Sequence, residues 1–387
     1  MALTIIQFPA TASLAQSPMI FSLSSSTDTT QSNFQYTAEL WYWSGSVASS
    51  GSSDYNLVKY PNSAGVGLFD VSRILNSTLT DLAIANTSNV KYYKCRFGTQ
   101  FSSGSLLVTG STKTDSSVYK ALDGYAIFQE SIGQEIGPKT PYWPLMTDGP
   151  ATQSVFDNNI GSASIYVGSV SGSQPTSIFY SSSIGTATLT LPTASGTTQT
   201  EIAQFPMFPS ASGFPLSTIG LTDYTIQPKS GSTSIGSPIR FELTCQQKYP
   251  NVRIKWKNRF GQFDWLNFYG VSQNSMDVDR QQYTPQIGSW DSSTLSYNNY
   301  DAQIKPYVVN AKQRLLVNSQ ILPQSYNDIF KELLVSDEIY WIYDENNNDI
   351  RPIAINSNSI QFKTGVVDKT IQYSFTFDWA QNYKLII

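Results

Sequence analysis

Apolar and polar residues alternate along several stretches of the chain. One face of residues 370–380 carries Ile371, Tyr373, Phe375, Phe377 and Trp379. The positions between them are Thr, Gln, Ser and Asp, and this period of two is typical of a strand with one buried face. The same alternation recurs at 34–40 and 239–245. The pattern therefore predicts a mostly β protein built from antiparallel strands.

Helical patterns are confined to two short stretches. In residues 325–335, Ser325 is a candidate N-cap with Asp328 as its capping-box partner, and an amphipathic apolar stripe follows. Residues 69–83 show a second stripe that begins after Asp70, a residue type that caps helices well. The predicted fold class is therefore tandem antiparallel β-sandwich domains with one or two short helices.

The distribution of charge divides the chain into three segments. Residues 140–228 contain no Lys or Arg and are rich in Ser, Thr, Gly and Pro, which by composition alone also fits a flexible linker. Apolar clusters such as "IYV", "IFY" and "FPMFP" favour a folded β domain instead. We predict an N-terminal β-sandwich at 1–135, a neutral β domain at 136–235, and a C-terminal β domain with the 325–335 helix at 236–387.

The residues that most enzymes use are scarce in this chain. It has no histidine, which excludes Ser-His-Asp and Cys-His sites and most zinc sites. Carboxylate pairs such as Asp277 with Asp279, or Asp337 with Glu338, are the remaining candidates for hydrolysis, but solvated surface explains them equally well. We predict that the protein is not an enzyme and that it uses no cofactor.

Two further features could carry special chemistry, a possible calcium loop and a possible disulfide. Both are explained better as ordinary structural elements. The acidic run at 344–349 lacks the glycine and glutamate that a calcium loop needs at its sixth and twelfth positions, so it predicts a hairpin turn. Cys95 and Cys245 each lie on the apolar side of an alternating run. This placement favours two buried thiols over a disulfide between them.

Charge and hydropathy limit the partners. The net charge of -4 and the pI near 5.0 do not give the basic footprint of a nucleic-acid-binding protein. No apolar run approaches the roughly 18 residues that cross a bilayer, and the first fifteen residues do not match a signal peptide. We therefore expect a soluble chain made in a cytoplasm, with no membrane span and no nucleic-acid partner.

Aromatic and basic side chains are concentrated at 252–270, "VRIKWKNRFGQFDWLNFYG". The period of two predicts a hairpin with a turn at Gly261, an apolar face that includes Trp256, and a solvated basic face of Arg253, Lys255 and Lys257. A nucleic-acid surface would need rings and charges on one face, and a sugar-binding platform would need exposed rings. The candidate contact residues of this aromatic hairpin are Trp256, Phe260, Phe263, Trp265, Phe268 and Tyr269.

The C-terminal part resembles structural proteins of tailed bacteriophages. The resemblance is carried by "FELTCQQKYPNVRIKWKNRFGQFDWLNF", "VDRQQY", "FKELLVSDEIYWIYDENNNDIRPIAI" and "IQFKTGVVDKTIQYSFTFDWA", in that order. "FDVSRIL" and "PYWPLMTDGP" also resemble segments of these phage proteins. The resemblance covers residues 239–387 well and the rest loosely, and it includes no catalytic motif.

The resemblance implies a virion structural protein, most specifically a tail-tip, baseplate or tail-adaptor subunit, assembled in the cytoplasm of a bacterial host. It implies a homo-oligomer that contacts other tail or virion proteins. One alternative is a receptor- or carbohydrate-binding tail protein that contacts host surface glycans through rings such as Trp265 or Trp143. A capsid decoration protein is a further alternative.

Overall fold

A computed structural model describes most of the 387 residues. The described ranges are 3–26, 30–44, 51–79, 90–126, 145–147, 152–168, 173–192, 202–244, 248–286, 288–289, 294–344, 349–356, 360–364 and 371–381. The chain divides into two compact units: unit 1 comprises 1–246 with 257–264, and unit 2 comprises 247–256 with 265–387. Residue 135 lies outside the described ranges, and the three-domain division stays a prediction.

The fold is mostly β, as the alternation predicts. The strands of unit 1 that precede residue 135 are β1 (Leu3–Gln7), β2 (Ala12–Leu14), β3 (Ile20–Ser25), β4 (Gln35–Trp43), β5 (Tyr55–Lys59), β6 (Gly67–Asp70), β7 (Val90–Ser103), β8 (Leu106–Thr109), β9 (Thr114–Asp115) and β10 (Tyr119–Leu122), with helix α1 (Ser72–Leu79) between β6 and β7. They form a three-stranded sheet in the order β1-β3-β6 and a larger sheet in the order β2-β10-β7-β4-β5.

These two sheets share one apolar core, which makes this part of unit 1 a sandwich. The alternating residues predicted to face inward along β4, Tyr36, Ala38 and Leu40, are each at most 1% exposed. They pack with Phe21 of the small sheet and with Cys95 on β7. Cys95 is a free, buried thiol whose pKa is raised well above its usual range by burial, whereas Cys245 lies outside the described residues.

The middle segment also folds as β structure. Its strands are β11 (Thr152–Val155), β12 (Ser162–Tyr166), β13 (Ser177–Ser182), β14 (Gly185–Thr190), β15 (Ile202–Pro206), β16 (Asp223–Ser230) and β17 (Thr233–Ser234), followed by β18 (Ile239–Leu243). β18 begins beyond the boundary predicted at 235, yet it pairs with both β11 and β16. The prediction of a folded β segment rather than a linker is confirmed for these residues.

Unit 2 is built on one seven-stranded sheet. Its strands are β19 (Val252–Lys257), β20 (Phe263–Phe268), β21 (Gln273–Tyr283), β22 (Lys305–Asn318), β23 (Ile339–Asp344), β24 (Asp349–Ile355) and β25 (Ser374–Trp379). They lie in the order β20-β19-β23-β24-β25-β22-β21. Helix α2 (Asn327–Val335) packs Phe330 and Leu333 against Phe375 and Phe377 of β25. The predicted apolar face of 370–380 is therefore confirmed.

The two predicted helices exist, but only one has the predicted cap. The carboxylate of Asp70 accepts a hydrogen bond from the Ser72 backbone at 3.0 Å, as an N-terminal cap should. Ser325 was the wrong cap for α2, because it lies in a 3-10 turn at Gln324–Tyr326 that runs directly into the helix. Neither helix in the described part of the chain is long and apolar enough to cross a membrane.

Candidate functional site

The structure places the six rings predicted at the aromatic hairpin in different environments. Buried rings are Trp256, Phe260, Phe268 and Tyr269, with exposures of 1%, 1%, 1% and 6%. Phe263 and Trp265 are half-buried. Since the chain itself encloses four of the six rings, the hypothesis of a partner contact at this hairpin rests on Phe263 and Trp265.

The end of this hairpin, residues 257–264, belongs to unit 1 and is organised by Asn258. The Asn258 side-chain oxygen accepts hydrogen bonds from the backbone N–H groups of Phe260 and Gln262, both at 3.0 Å. Gly261 has a φ of 68°, the left-handed conformation that the sequence predicts there. The Asn258 amide also donates to the Met146 carbonyl at 2.9 Å. The hairpin end is therefore fixed both internally and to the rest of unit 1.

Polar side chains of the hairpin end form hydrogen bonds with residues that are far away in the sequence. Ser164 donates to the Gln262 side-chain oxygen at 2.7 Å, and Thr147 donates to Asp264 at 2.5 Å. The ring of Phe260 enters an apolar cluster of unit 1. The other buried members of this cluster are Ala12, Leu14, Val90, Leu122, Met146, Tyr166 and Ile202. The end of the hairpin is thus a structural part of the core of unit 1.

A buried ion pair completes this contact. Lys257 Nζ lies 2.8 Å from Asp123 Oδ2, and the two side chains are 10% and 3% exposed. The second carboxylate oxygen of Asp123 accepts hydrogen bonds from the Gly124 backbone at 2.7 Å and from Gln16 at 3.3 Å. Gly124 has a φ of 109°, and a Cβ there would lie 2.0 Å from the Arg259 carbonyl oxygen. Only glycine therefore allows the two backbones to approach this closely.

The basic side chains of β19 are not a solvated face, so that prediction was wrong. Arg253 and Lys255 are 2% and 8% exposed. The Arg253 guanidinium and the Lys255 ammonium lie 4.5 and 4.6 Å from the centre of the Trp265 ring. Trp265 on β20 covers both cations, and cation–π attraction offsets part of their desolvation. This occupation of the Trp265 ring disfavours a sugar-binding platform here, and Trp143 lies outside the described residues.

Lys255 should make the stability of the protein depend on pH. Burial, and to a lesser degree the neighbouring Arg253, lowers the pKa of Lys255 from 10.5 to about 8. Between these two values the unfolded chain binds this proton more tightly than the folded chain does. The free energy of unfolding should therefore rise with pH across that window, by on the order of 3 kcal/mol.

Urea unfolding at pH values on both sides of this window checks that expectation. Lys255→Met should stabilise the protein below pH 8 and remove this contribution to the pH dependence. Lys331→Met, at an exposed lysine on α2, is the matched control and should keep the wild-type dependence. Equal pH dependence in the wild type and Lys255→Met would contradict the prediction.

A second feature is a two-stranded arm formed by β21 with the first part of β22. All residues of β21 from Gln273 to Tyr283 are exposed. β22 pairs with β25 only from Arg314 to Asn318, so residues 305–313 pair with β21 alone among the described strands. Two-stranded ribbons are at best marginally stable in water without further packing. The arm is therefore the least supported part of the unit 2 sheet.

The acidic residues proposed as catalytic candidates do not form a shared site. Asp277 pairs with Arg314 at 2.8 Å, and Asp337 is exposed beside Glu338, whose carboxylate accepts from Tyr340 at 3.1 Å. No group of three or more Cys, Asp or Glu residues that could hold a metal ion occurs within the described ranges. These side chains have structural or solvated surroundings.

The acidic run at 344–349 lies at a hairpin, as predicted. β23 and β24 pair in an antiparallel register that sets Asp344 opposite Asp349. Residues 345–348 lie outside the described part of the chain. Asp349 forms an ion pair with Arg351 at 2.8 Å.

Comparison with known proteins assigns no function to this site, so the site is interpreted from its geometry. No known family matches this chain, and no curated protein matches it.

Proposed function

We propose that this protein is a structural subunit of a macromolecular assembly and acts through protein–protein contacts rather than chemistry. The observation that carries the proposal is the exposure of apolar side chains on the arm. Its side chains on one face include Met276 and Val278, which are 42% and 43% exposed. Apolar side chains on a ribbon without a covering layer favour a role in which another subunit covers them.

More specifically, we propose a virion protein of a tailed bacteriophage, at the tail tip, baseplate or tail adaptor. The support is the resemblance of residues 239–387 to phage structural proteins. The ion pairs of the described residues have structural surroundings, because Arg314 and Asp378 connect neighbouring strands of the unit 2 sheet, and Lys257 with Asp123 is a buried pair within unit 1.

Purified phage particles provide the test of this function. We expect the protein in washed particles at a fixed copy number per particle by quantitative mass spectrometry. Gold-labelled antibody should bind at the tail. A protein abundant in infected cells but absent from washed particles would refute the proposal, and label over the capsid would refute the tail position.

A further inference from the structure

The outer strand of the larger unit 1 sheet, β5, has an open edge. β5 ends the order β2-β10-β7-β4-β5, so among the described strands it pairs with β4 alone. The connection from β5 to β6 turns towards the core face of the sheet, where the Gly65 carbonyl accepts a hydrogen bond from the buried Tyr36 of β4 at 2.7 Å. An open edge presents unpaired backbone N–H and C=O groups that can pair with another strand.

The side chains of β5 do little to block such pairing. Edge strands are usually protected by several charges, by proline or by a bulge. β5 has the sequence "YNLVK" with a single charge at Lys59, and its pairing with β4 is regular over its whole length. Tyr55 and Val58 are 42% and 49% exposed, and Leu57 is half-buried. This edge is therefore regular and mainly apolar.

The sequence of β5 is complementary to itself in an antiparallel pairing centred on Leu57. Two copies related by a two-fold axis perpendicular to the sheet place Leu57 opposite its own counterpart. Asn56 of each copy then lies opposite Val58 of the other, and Tyr55 lies opposite Lys59. Directly opposite residues share a face, so each lysine can bind the tyrosine ring of the other copy by cation–π attraction. No two like charges face each other in this register.

We infer that two copies of this chain pair through the outer edges of β5, with Leu57 on the two-fold axis. The larger sheet of unit 1 then continues from one copy into the other. Because the same strand serves on both sides, the contact is isologous and closes at two copies. The inference goes beyond the proposed function, since β5 lies in unit 1 and the arm lies in unit 2.

A second copy is the occupant because β5 supplies both halves of the contact. Tyr55 stacks on Tyr42 of β4 with ring centres 6.3 Å apart, which holds the Tyr55 ring at the edge. Lys59 is exposed and forms no ion pair within the described residues, so its charge is available to a neighbouring ring. A strand of different sequence would need an apolar residue opposite Leu57 and a cation opposite Tyr55. β5 itself has both at the required spacing.

Sedimentation equilibrium of the full-length protein tests this contact. A short edge gives a weak interface, so the wild type should dimerise at concentrations on the order of 100 μM. Tyr55→Lys sets two lysines opposite each other twice in the dimer and should weaken association about tenfold or more. The swap Y55K/K59Y restores the pair and should recover the wild-type affinity. Tyr300→Lys, the same change at an 84% exposed tyrosine of unit 2, should leave association unchanged.

Disulfide trapping tests the register independently. In a Cys245→Ser background the only remaining native thiol is the buried Cys95. Leu57→Cys should form an interchain disulfide by itself under mild oxidation, because residue 57 meets its counterpart on the axis. Asn56→Cys and Val58→Cys should crosslink when mixed and much more slowly when alone, since each lies diagonal to its own counterpart.

Three results would overturn the inference. They are a wild type that stays monomeric throughout the concentration series, a Tyr55→Lys protein that associates as tightly as the wild type, and a mixture of Asn56→Cys with Val58→Cys that forms no interchain disulfide. Circular dichroism of each variant shows that it is folded. Asn56 and Val58 are exposed, so the mixed crosslink decides the question even where Leu57→Cys does not fold.

This inference and the proposed function can fail separately. If the chain occurs in purified particles but shows no association through β5, the β5 contact is refuted and the structural function stands. If the β5 dimer forms but the chain is absent from particles, the virion assignment is refuted and the contact stands.

Discussion

Replacing Asp123 by asparagine is expected to destabilise unit 1 by about 3–5 kcal/mol, the usual cost of removing one partner of a buried ion pair. Asparagine keeps the shape of aspartate and can still accept from Gly124 and Gln16. The charge of Lys257, at 2.8 Å and with only 10% of its side chain exposed, loses its neutralising partner. The expected loss of stability therefore measures mainly the cost of leaving the buried charge of Lys257 without a partner.

Urea unfolding followed region by region with hydrogen exchange measures this effect. Asp115→Asn is the matched control, because Asp115 pairs with Arg96 at 2.6 Å on the surface, where such pairs contribute about 0–1 kcal/mol. Adding Lys257→Met to Asp123→Asn removes the stranded charge and should recover most of the stability. An Asp123→Asn variant no less stable than Asp115→Asn would show that the buried pair contributes little.

The alternation of apolar residues predicted the strands with one buried face well. It identified Tyr36 on β4 and Phe375 on β25 as core residues, because such a strand repeats its environment every second residue. It failed at Arg253 and Lys255, since the period identifies which side chains share a face but not what covers that face. Trp265 lies on the neighbouring strand, and its contact with both cations depends on strand order.

The contacts of the hairpin end and of the arm could not be predicted from the sequence either, because the local pattern does not identify the residue or strand that each one contacts. Asp123 and Lys257 are far apart in the chain, and nothing local to either residue indicates the other. The stretch from Gln273 to Tyr283 is polar on one face and weakly apolar on the other, and it contains no aromatic residue before Tyr283 at its end. Its acidic residues were recognised as surface groups, but its extended pairing with β22 required the structure.

Replacing Phe260 by alanine should destabilise unit 1 by about 3–5 kcal/mol, because it leaves a cavity among well-packed neighbours. The ring is 1% exposed and lies in the cluster that contains Leu122 on β10 and Tyr166 on β12. Hydrogen exchange should therefore accelerate most in these two strands. Phe263→Ala removes the same ring at a half-buried position and should cost clearly less.

This comparison decides whether the aromatic hairpin is primarily a structural element or a surface for partners. If Phe260→Ala unfolds unit 1 locally while Phe263→Ala leaves exchange in β10 and β12 unchanged, the hairpin end acts as a core element of unit 1. If both variants keep wild-type stability, the packing of Phe260 contributes little to folding, and the hairpin would be retained for contacts outside the chain. The arm would then share the role of assembly surface with the hairpin.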